Sequence, residues 1–148
     1  MSTAASFPEP VLEKIFHFDS GAAVYTADAC VVTCFDARFD LAMRKFLHHR
    51  GVSLFDHVKI PGSAKALGAP DSEADRDFAL RMLRTSIRLH RPALFILIGH
   101  NDCGAYPGAP PAVVAADLLQ AAAFLHKAEP SIPVETYFAD FDGIYQVR

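Results

Sequence analysis

Residues 94–106 read LFILIGHNDCGAY, and the order of events in that stretch decides the fold. An unbroken apolar run ends at Gly99, and His100, Asp102 and Cys103 follow at once. Continuous rather than alternating apolarity marks a strand covered on both faces, the centre of a parallel sheet. In open sheets of that kind, sites gather at the carboxyl ends of the strands. A histidine and a cysteine delivered three positions apart at such an end are half of something.

Working outward, ACVVTCF (29–35) is a second short β-branched run, a buried strand ending near Cys34. DLAMRKFLHHRG (40–51) has helical spacing, with Asp40 at its start and Gly51 as its stop. LFDHVKI (54–60) reads as another strand, closed by Pro61-Gly62 in type II turn order. Ser72 and Asp75 resemble a capping box opening the helix 72–90, with Phe78, Met82, Leu83 and Ile87 on its apolar face and Pro92 beyond its end. A helix entered through proline covers 110–128, and VETYFADFDGIYQV (134–147) closes as a strand or a hairpin turning near Asp142-Gly143. Ahead of all this, VLEKIFHF (11–18) has the pattern of a short helix whose apolar side needs a surface, such as a neighbouring subunit. Strands alternating with helices give an α/β domain with a central mostly parallel sheet flanked by helices. The expectation is one domain over 1–148, with 1–20 as an N-terminal arm.

At 148 residues and 51% hydrophobic, the chain is long and apolar enough for a proper core. A net charge of −3 without a basic run argues against nucleic acid as a partner. No apolar stretch approaches the ~20 residues that span a bilayer. MSTAASFPEP lacks the basic start and apolar segment of a secretory signal, so a cytoplasmic location is expected. Three cysteines without framework spacing then favour thiol or metal chemistry over disulfides.

The first loaded strand end carries CFDAR, with Cys34, Asp36 and Arg38; the second carries HNDC, with His100 and Cys103. Thiolate and imidazole are ligands Zn²⁺ accepts, and a catalytic zinc keeps three protein ligands and one open position. Cys34, His100 and Cys103 make such a Cys₂His set. Two thiolates neutralise the ion, so its water is acidified less than in a site of three neutral histidines. Asp36 is placed to accept a proton from the nucleophile and aim its lone pair, and Arg38 to keep Asp36 ionised.

C-F-D-A-R followed by H-N-D-C-G resembles the β class of carbonic anhydrases, whose signature is C-x-D-x-R followed by H-x-x-C. Order and separation both agree, and the resemblance runs from about Tyr25 to the C-terminus. It implies one Zn²⁺ per chain on Cys34, His100 and Cys103, with Asp36 and Arg38 as the orienting dyad. It further implies reversible hydration of CO₂ to bicarbonate by metal-bound hydroxide, in a homodimer or higher homo-oligomer with no membrane or nucleic-acid partner. Lys59 and Ser63 stand where the family carries arginine and asparagine. That departure motivates two alternatives, a hydrolase of another small heterocumulene such as COS or CS₂, and a non-enzymatic zinc or sensor protein.

Other residues have plainer readings. Cys30 shares a strand face with Cys34, but four residues at about 3.3 Å each put it roughly 13 Å away, so it is a core residue. His48 and His49 point apart on a solvated helix face. Asp102 reads as a solvated or turn-stabilising residue. Gly62 sits in a turn whose backbone N–H groups are an option for an anion.

Overall fold

The computed structural model describes residues 9–148. Five strands and four helices follow in the order β1 (Ala29–Thr33), α1 (Ala37–His49), β2 (Phe55–Lys59), α2 (Lys65–Gly68), α3 (Glu73–His90), β3 (Phe95–His100), α4 (Pro111–Ala128), β4 (Val134–Asp140) and β5 (Gly143–Gln146). They form one sheet in the order β2-β1-β3-β4-β5. β1 runs parallel to both β2 and β3, and β3 runs parallel to β4; only β5 is antiparallel, returning from β4 through a hairpin. The expected α/β architecture is therefore present.

Alternation along the strands divides the core in two. Ala29 and Val31 of β1 and Ile96 and Ile98 of β3 pack on Phe39, Met43 and Leu47 of α1. Cys30, Val32, Phe95 and Leu97 face the opposite way, onto Leu67, Leu83, Leu118 and Leu125 of α2, α3 and α4. Every residue of β1 and β3 is buried, as continuous apolarity requires of central strands. The chain leaves β1 through α1 on one face and leaves β3 through α4 on the other. The carboxyl ends of β1 and β3 thus form the switch point where the connections diverge.

Two glycines let α4 pack closely, Gly99 against the sheet and Gly68 against α2. A Cβ on Gly99 would lie 2.6 Å from Val114 Cγ1, and one on Gly68 would lie 2.1 Å from the Asp117 carbonyl oxygen and 2.8 Å from the Ala121 nitrogen. Side chains yield, but backbone in mid-helix does not. Gly68→Ala is expected to cost about 3 kcal/mol or more, and so lower Tm by roughly 10 °C. Gly143→Ala, where an added Cβ meets nothing within 4 Å, should stay within about 1 kcal/mol. Thermal unfolding of the two variants checks the packing of α2 on α4.

At the opposite, amino end of the strands a polar knot closes the sheet. The Asp56 carboxylate accepts from Tyr25 Oη at 2.6 Å and Ser86 Oγ at 2.5 Å, and lies 2.8 Å from His90 Nδ1. Tyr25 also stacks on the His90 ring, with centroids 4.0 Å apart. Burial works against the Asp56 charge, but these partners outweigh it and hold the carboxyl below its ordinary value. Cys30 lies in the core beside this knot, and burial pushes its thiol up to about 11, as suits a residue that packs rather than reacts.

Three local expectations change. α1 begins one turn before Asp40, because Asp36 in extended backbone accepts the Arg38 N–H and caps the helix. Asp40 lies instead in the first turn, paired with Lys59 at 2.6 Å and Arg44 at 3.1 Å. Ser72 does cap α3 through Asp75 N–H, yet the buried face carries Ala79, Leu80, Leu83 and Ser86, while Phe78 is half-exposed. The N-terminal segment forms no helix over residues 9–28. A helix of about two turns has too few hydrogen bonds to hold without a packing surface, and Leu12 and Ile15 are more than nine-tenths exposed. The earlier part of the expected arm, residues 1–8 of MSTAASFPEP, lies outside the described residues. Among the described residues no helix is long and apolar enough to cross a membrane.

Candidate metal centre

Cys34 follows β1 directly, His100 is the last residue of β3, and Cys103 comes from the turn beyond it. Parallel pairing places Thr33 opposite Ile98, so both strands release their reactive residues at the same edge of the sheet. The side chains arrive from opposite faces. Cys34 and Cys103 belong to the α2–α3–α4 side of the core, whereas the His100 ring packs on Phe39 of α1 at 4.6 Å. They meet past the strand ends, where one ligand atom from each lies within 4.8 Å of the others. All three are buried.

The tautomer of His100 follows from its neighbour. Nδ1 lies 2.7 Å from the Asn101 carbonyl oxygen and donates to it, leaving Nε2 with a free lone pair. That Nε2 is buried, and although the ring lies close enough to Cys34 to influence its thiol, Nε2 makes no well-formed hydrogen bond. An orphaned buried acceptor carries a penalty of kcal/mol order unless something is bound there.

The sulfurs present the same problem. Cys34 Sγ and Cys103 Sγ are 3.9 Å apart. Burial works against the Cys34 thiolate, yet His100 and the backbone N–H groups of Gly62 and Asp36 outweigh it and bring the thiol down to about 7. Burial pushes the Cys103 thiol up, and the adjacent Cys34 adds to that rise even though Ala105 and Gly62 N–H groups oppose it. Two such sulfurs carry charge together only beside a cation. Thiolate, thiolate and imidazole, with one orphaned nitrogen among them, fit a divalent ion of the zinc type.

Asp36 and Arg38 form a bidentate pair beside this cluster. Arg38 Nε donates to Asp36 Oδ1 at 3.1 Å and Oδ2 at 3.2 Å, and its Nη2 donates to Oδ2 at 2.7 Å. This pairing and the Arg38 backbone N–H hold the Asp36 carboxyl at about 2, ionised throughout the neutral range. The guanidinium in turn lies 5.7 Å from the Phe39 ring centre and 5.5 Å from that of Phe141 at the β4–β5 turn. Cys34, Phe35, Asp36, Pro61, Gly104 and Ala105 line a cavity of about 390 Å³. Apart from the sulfur and the carboxylate, its walls are apolar.

All five residues expected from the sequence are thus gathered, three in the cluster and two in the adjoining pair. Gly62 keeps its turn, with φ of 77° and Ser63 N–H bonded to Ile60 O at 2.8 Å. Its N–H serves the thiolates rather than a separate anion. Sequence patterns offered the Gly62 N–H to an anion rather than to the cysteines, and did not single out Phe141 or the contact of Asp102 with Arg38 at 2.9 Å. Each is a meeting of loops remote in the chain.

A sheet with one antiparallel edge strand, carrying at its switch point an Asp–Arg pair and a Cys₂His cluster close enough to bind a metal, defines a small α/β protein with a candidate metal centre. The family described as "Putative carbonic anhydrase" matches residues 25–147, and the chain belongs to that family. No curated protein shows a significant sequence match. Among solved structures, carbonic anhydrase from Glaciozyma antarctica is similar, with 18% identity, 88% of this chain and 87% of that one covered, and a TM-score of 0.61. A β-carbonic anhydrase of Trichomonas vaginalis gives 12% identity, coverage of 88% and 87%, and a TM-score of 0.62. A carbon disulfide hydrolase gives 12% identity, coverage of 84% and 81%, and a TM-score of 0.55. At these identities the likeness establishes a shared fold, the β-carbonic anhydrase fold.

Proposed function

We propose that this chain is a zinc-dependent carbonic anhydrase that reversibly hydrates CO₂ to bicarbonate, with Cys34, His100 and Cys103 holding one Zn²⁺. The observation that carries the reading is the ionised Asp36, locked by Arg38, lining the same apolar cavity as Cys34. When bound, the ion would supply Lewis acidity and, as pH rises, a hydroxide nucleophile. Asp36 would accept a hydrogen bond from that nucleophile and so orient it toward the cavity. Arg38 keeps Asp36 charged and fixes its rotamer. Phe35, Pro61 and Ala105 offer an apolar wall that suits a small linear substrate without charge. Gly62 and Asp36 N–H groups support the Cys34 sulfur, and the Asn101 carbonyl keeps the His100 proton on Nδ1, turning Nε2 toward the metal.

Stopped-flow CO₂ hydration across pH, on protein of measured zinc content, tests the reading. Turnover should rise on the alkaline side, because two thiolates leave a neutral centre that acidifies water weakly. Zinc-loaded protein without turnover at any pH would overturn the proposal. The apolar wall and the likeness to a carbon disulfide hydrolase support a second reading, hydrolysis of CS₂ or COS. Sulfide release from CS₂, measured on the same samples, separates the two.

We further propose that the chain works as a homodimer or higher homo-oligomer. Val11, Leu12, Ile15 and Phe16 stand exposed on the N-terminal segment, and a second copy is the surface that would cover them. Sedimentation of the full chain beside one lacking residues 1–18 would show it, and a monomeric full chain would refute it.

A further inference from the structure

We infer that Asp102 is a positioning residue for the candidate active site, anchoring the far edge of the Arg38 guanidinium so that the near edge holds Asp36 over the Cys₂His cluster. The inference rests on the proposed reaction for its kinetic meaning, but its geometry is independent of it.

Arg38 has one edge on Asp36 and needs a second restraint to keep its plane fixed. Nη1 donates to Asp102 Oδ2 at 2.9 Å, and Nη2 donates to the Asp102 carbonyl oxygen at 3.0 Å. One residue thus receives the guanidinium through both side chain and backbone. It can do so because Asp102 has a φ of 52°, a left-handed conformation that turns its carbonyl and carboxylate toward the same side. Aspartate and asparagine tolerate that region better than most residues.

The turn is itself held. Asp102 N–H donates to Asn101 Oδ1 at 2.9 Å, and Asn101 Nδ2 donates to Asp140 Oδ1 at 3.0 Å at the end of β4. Asn101 N–H bonds the Ala139 carbonyl at 2.9 Å. A continuous chain of contacts therefore runs from the rigid sheet through Asn101 and Asp102 to Arg38, and from there to Asp36. It links the loop after β1, which carries Cys34, to the end of β3 and the turn beyond it, which carry His100 and Cys103. Arg38 uses its donors on two carboxylates and one carbonyl, leaving the guanidinium little freedom to rotate.

Exposure decides what kind of contribution this is. The Arg38 and Asp102 side chains are 48% and 72% exposed. An ion pair so open to water adds little to stability. A reacting group displaced even slightly is costly by comparison, up to about a hundredfold for 1 Å. The effect should thus appear in turnover and leave the folded state as stable as before.

Asp102→Asn is the informative change, since asparagine keeps the left-handed backbone while removing the charge. With zinc content equal, kcat for CO₂ hydration should fall roughly three- to tenfold with KM little changed and Tm within about 2 °C. In an Arg38→Ala background the same change should have no further effect on kcat, because its path runs through Arg38. The ¹⁵N NMR signals of the Arg38 guanidinium should be distinct for Nη1 and Nη2 in the parent, and averaged by rotation in Asp102→Asn. Unchanged kcat in Asp102→Asn, a full additional loss without Arg38, or equal guanidinium restraint in both proteins would each overturn the inference. If the parent fails to hydrate CO₂, the proposed reaction falls, and the NMR comparison alone then decides whether Asp102 is the anchor.

Discussion

Cys103→Ala should yield a folded protein that no longer retains zinc and no longer turns over. Losing a hydrogen-bond partner one shell outside a metal costs 10- to 100-fold in affinity, so losing one of three ligands should cost on the order of a thousandfold or more. The variant removes a sulfur 3.9 Å from Cys34 and with it one weak thiol–thiol contact. The chain itself should therefore survive. β1 and β3 are paired along their length and buried on both faces without help from the turn. Dialysis against a chelator followed by elemental analysis reads the metal, and circular dichroism reads the fold. Full zinc retention would remove Cys103 from the ligand set. Unfolding would favour a structural ion and the non-enzymatic reading.

Changing Asp36 is expected to cost turnover rather than metal, by roughly 10²- to 10³-fold, the range for removing one preorganised polar group from the reacting centre. The choice of replacement matters, because Asp36 also caps α1 by accepting the Arg38 N–H at 3.0 Å. Alanine would remove both roles and add about 1 kcal/mol of helix destabilisation. Asparagine caps as well as aspartate, so Asp36→Asn isolates the charge. Zinc content and Tm should match the parent while kcat falls. Unchanged kcat in Asp36→Asn would take the residue out of the mechanism, and a matched loss in zinc would make it a ligand.

The double role of Asp36 also shows what could be read from the chain and what could not. β1 and β3 were legible because continuous apolarity has few structural solutions, and the start of α3 because Ser72 caps through a fixed offset. Cys34, His100 and Cys103 were legible because ligand type and spacing restrict metals strongly. The start of α1 was placed at Asp40, since either aspartate can cap and propensity does not choose between them. The apolar face of α3 runs through Ala79, Leu80, Leu83 and Ser86 rather than Phe78, because which residues of a helix are covered depends on the elements it packs against, which periodicity does not specify. Asp102 looked like an ordinary turn residue. Its partner Arg38 stands 64 positions away, and no local pattern reports a contact made by two loops that converge only when β1 pairs with β3. VLEKIFHF had the periodicity of a helix, but periodicity offers a face without supplying anything to bury it.

The knot of Tyr25, Asp56, Ser86 and His90 lies at one end of the parallel strands, and Cys34, His100 and Cys103 lie at the other. About 13 Å of β1 separates them. Enzymes commonly trade robustness against reactivity because the same few atoms must serve both demands. Here the two demands occupy opposite poles of the sheet. Substitutions around Asp56 can be selected for durability, and substitutions around Phe35 and Pro61 for a new substrate, with effects that should add rather than conflict. The domain is in that sense two independent design problems joined by a strand.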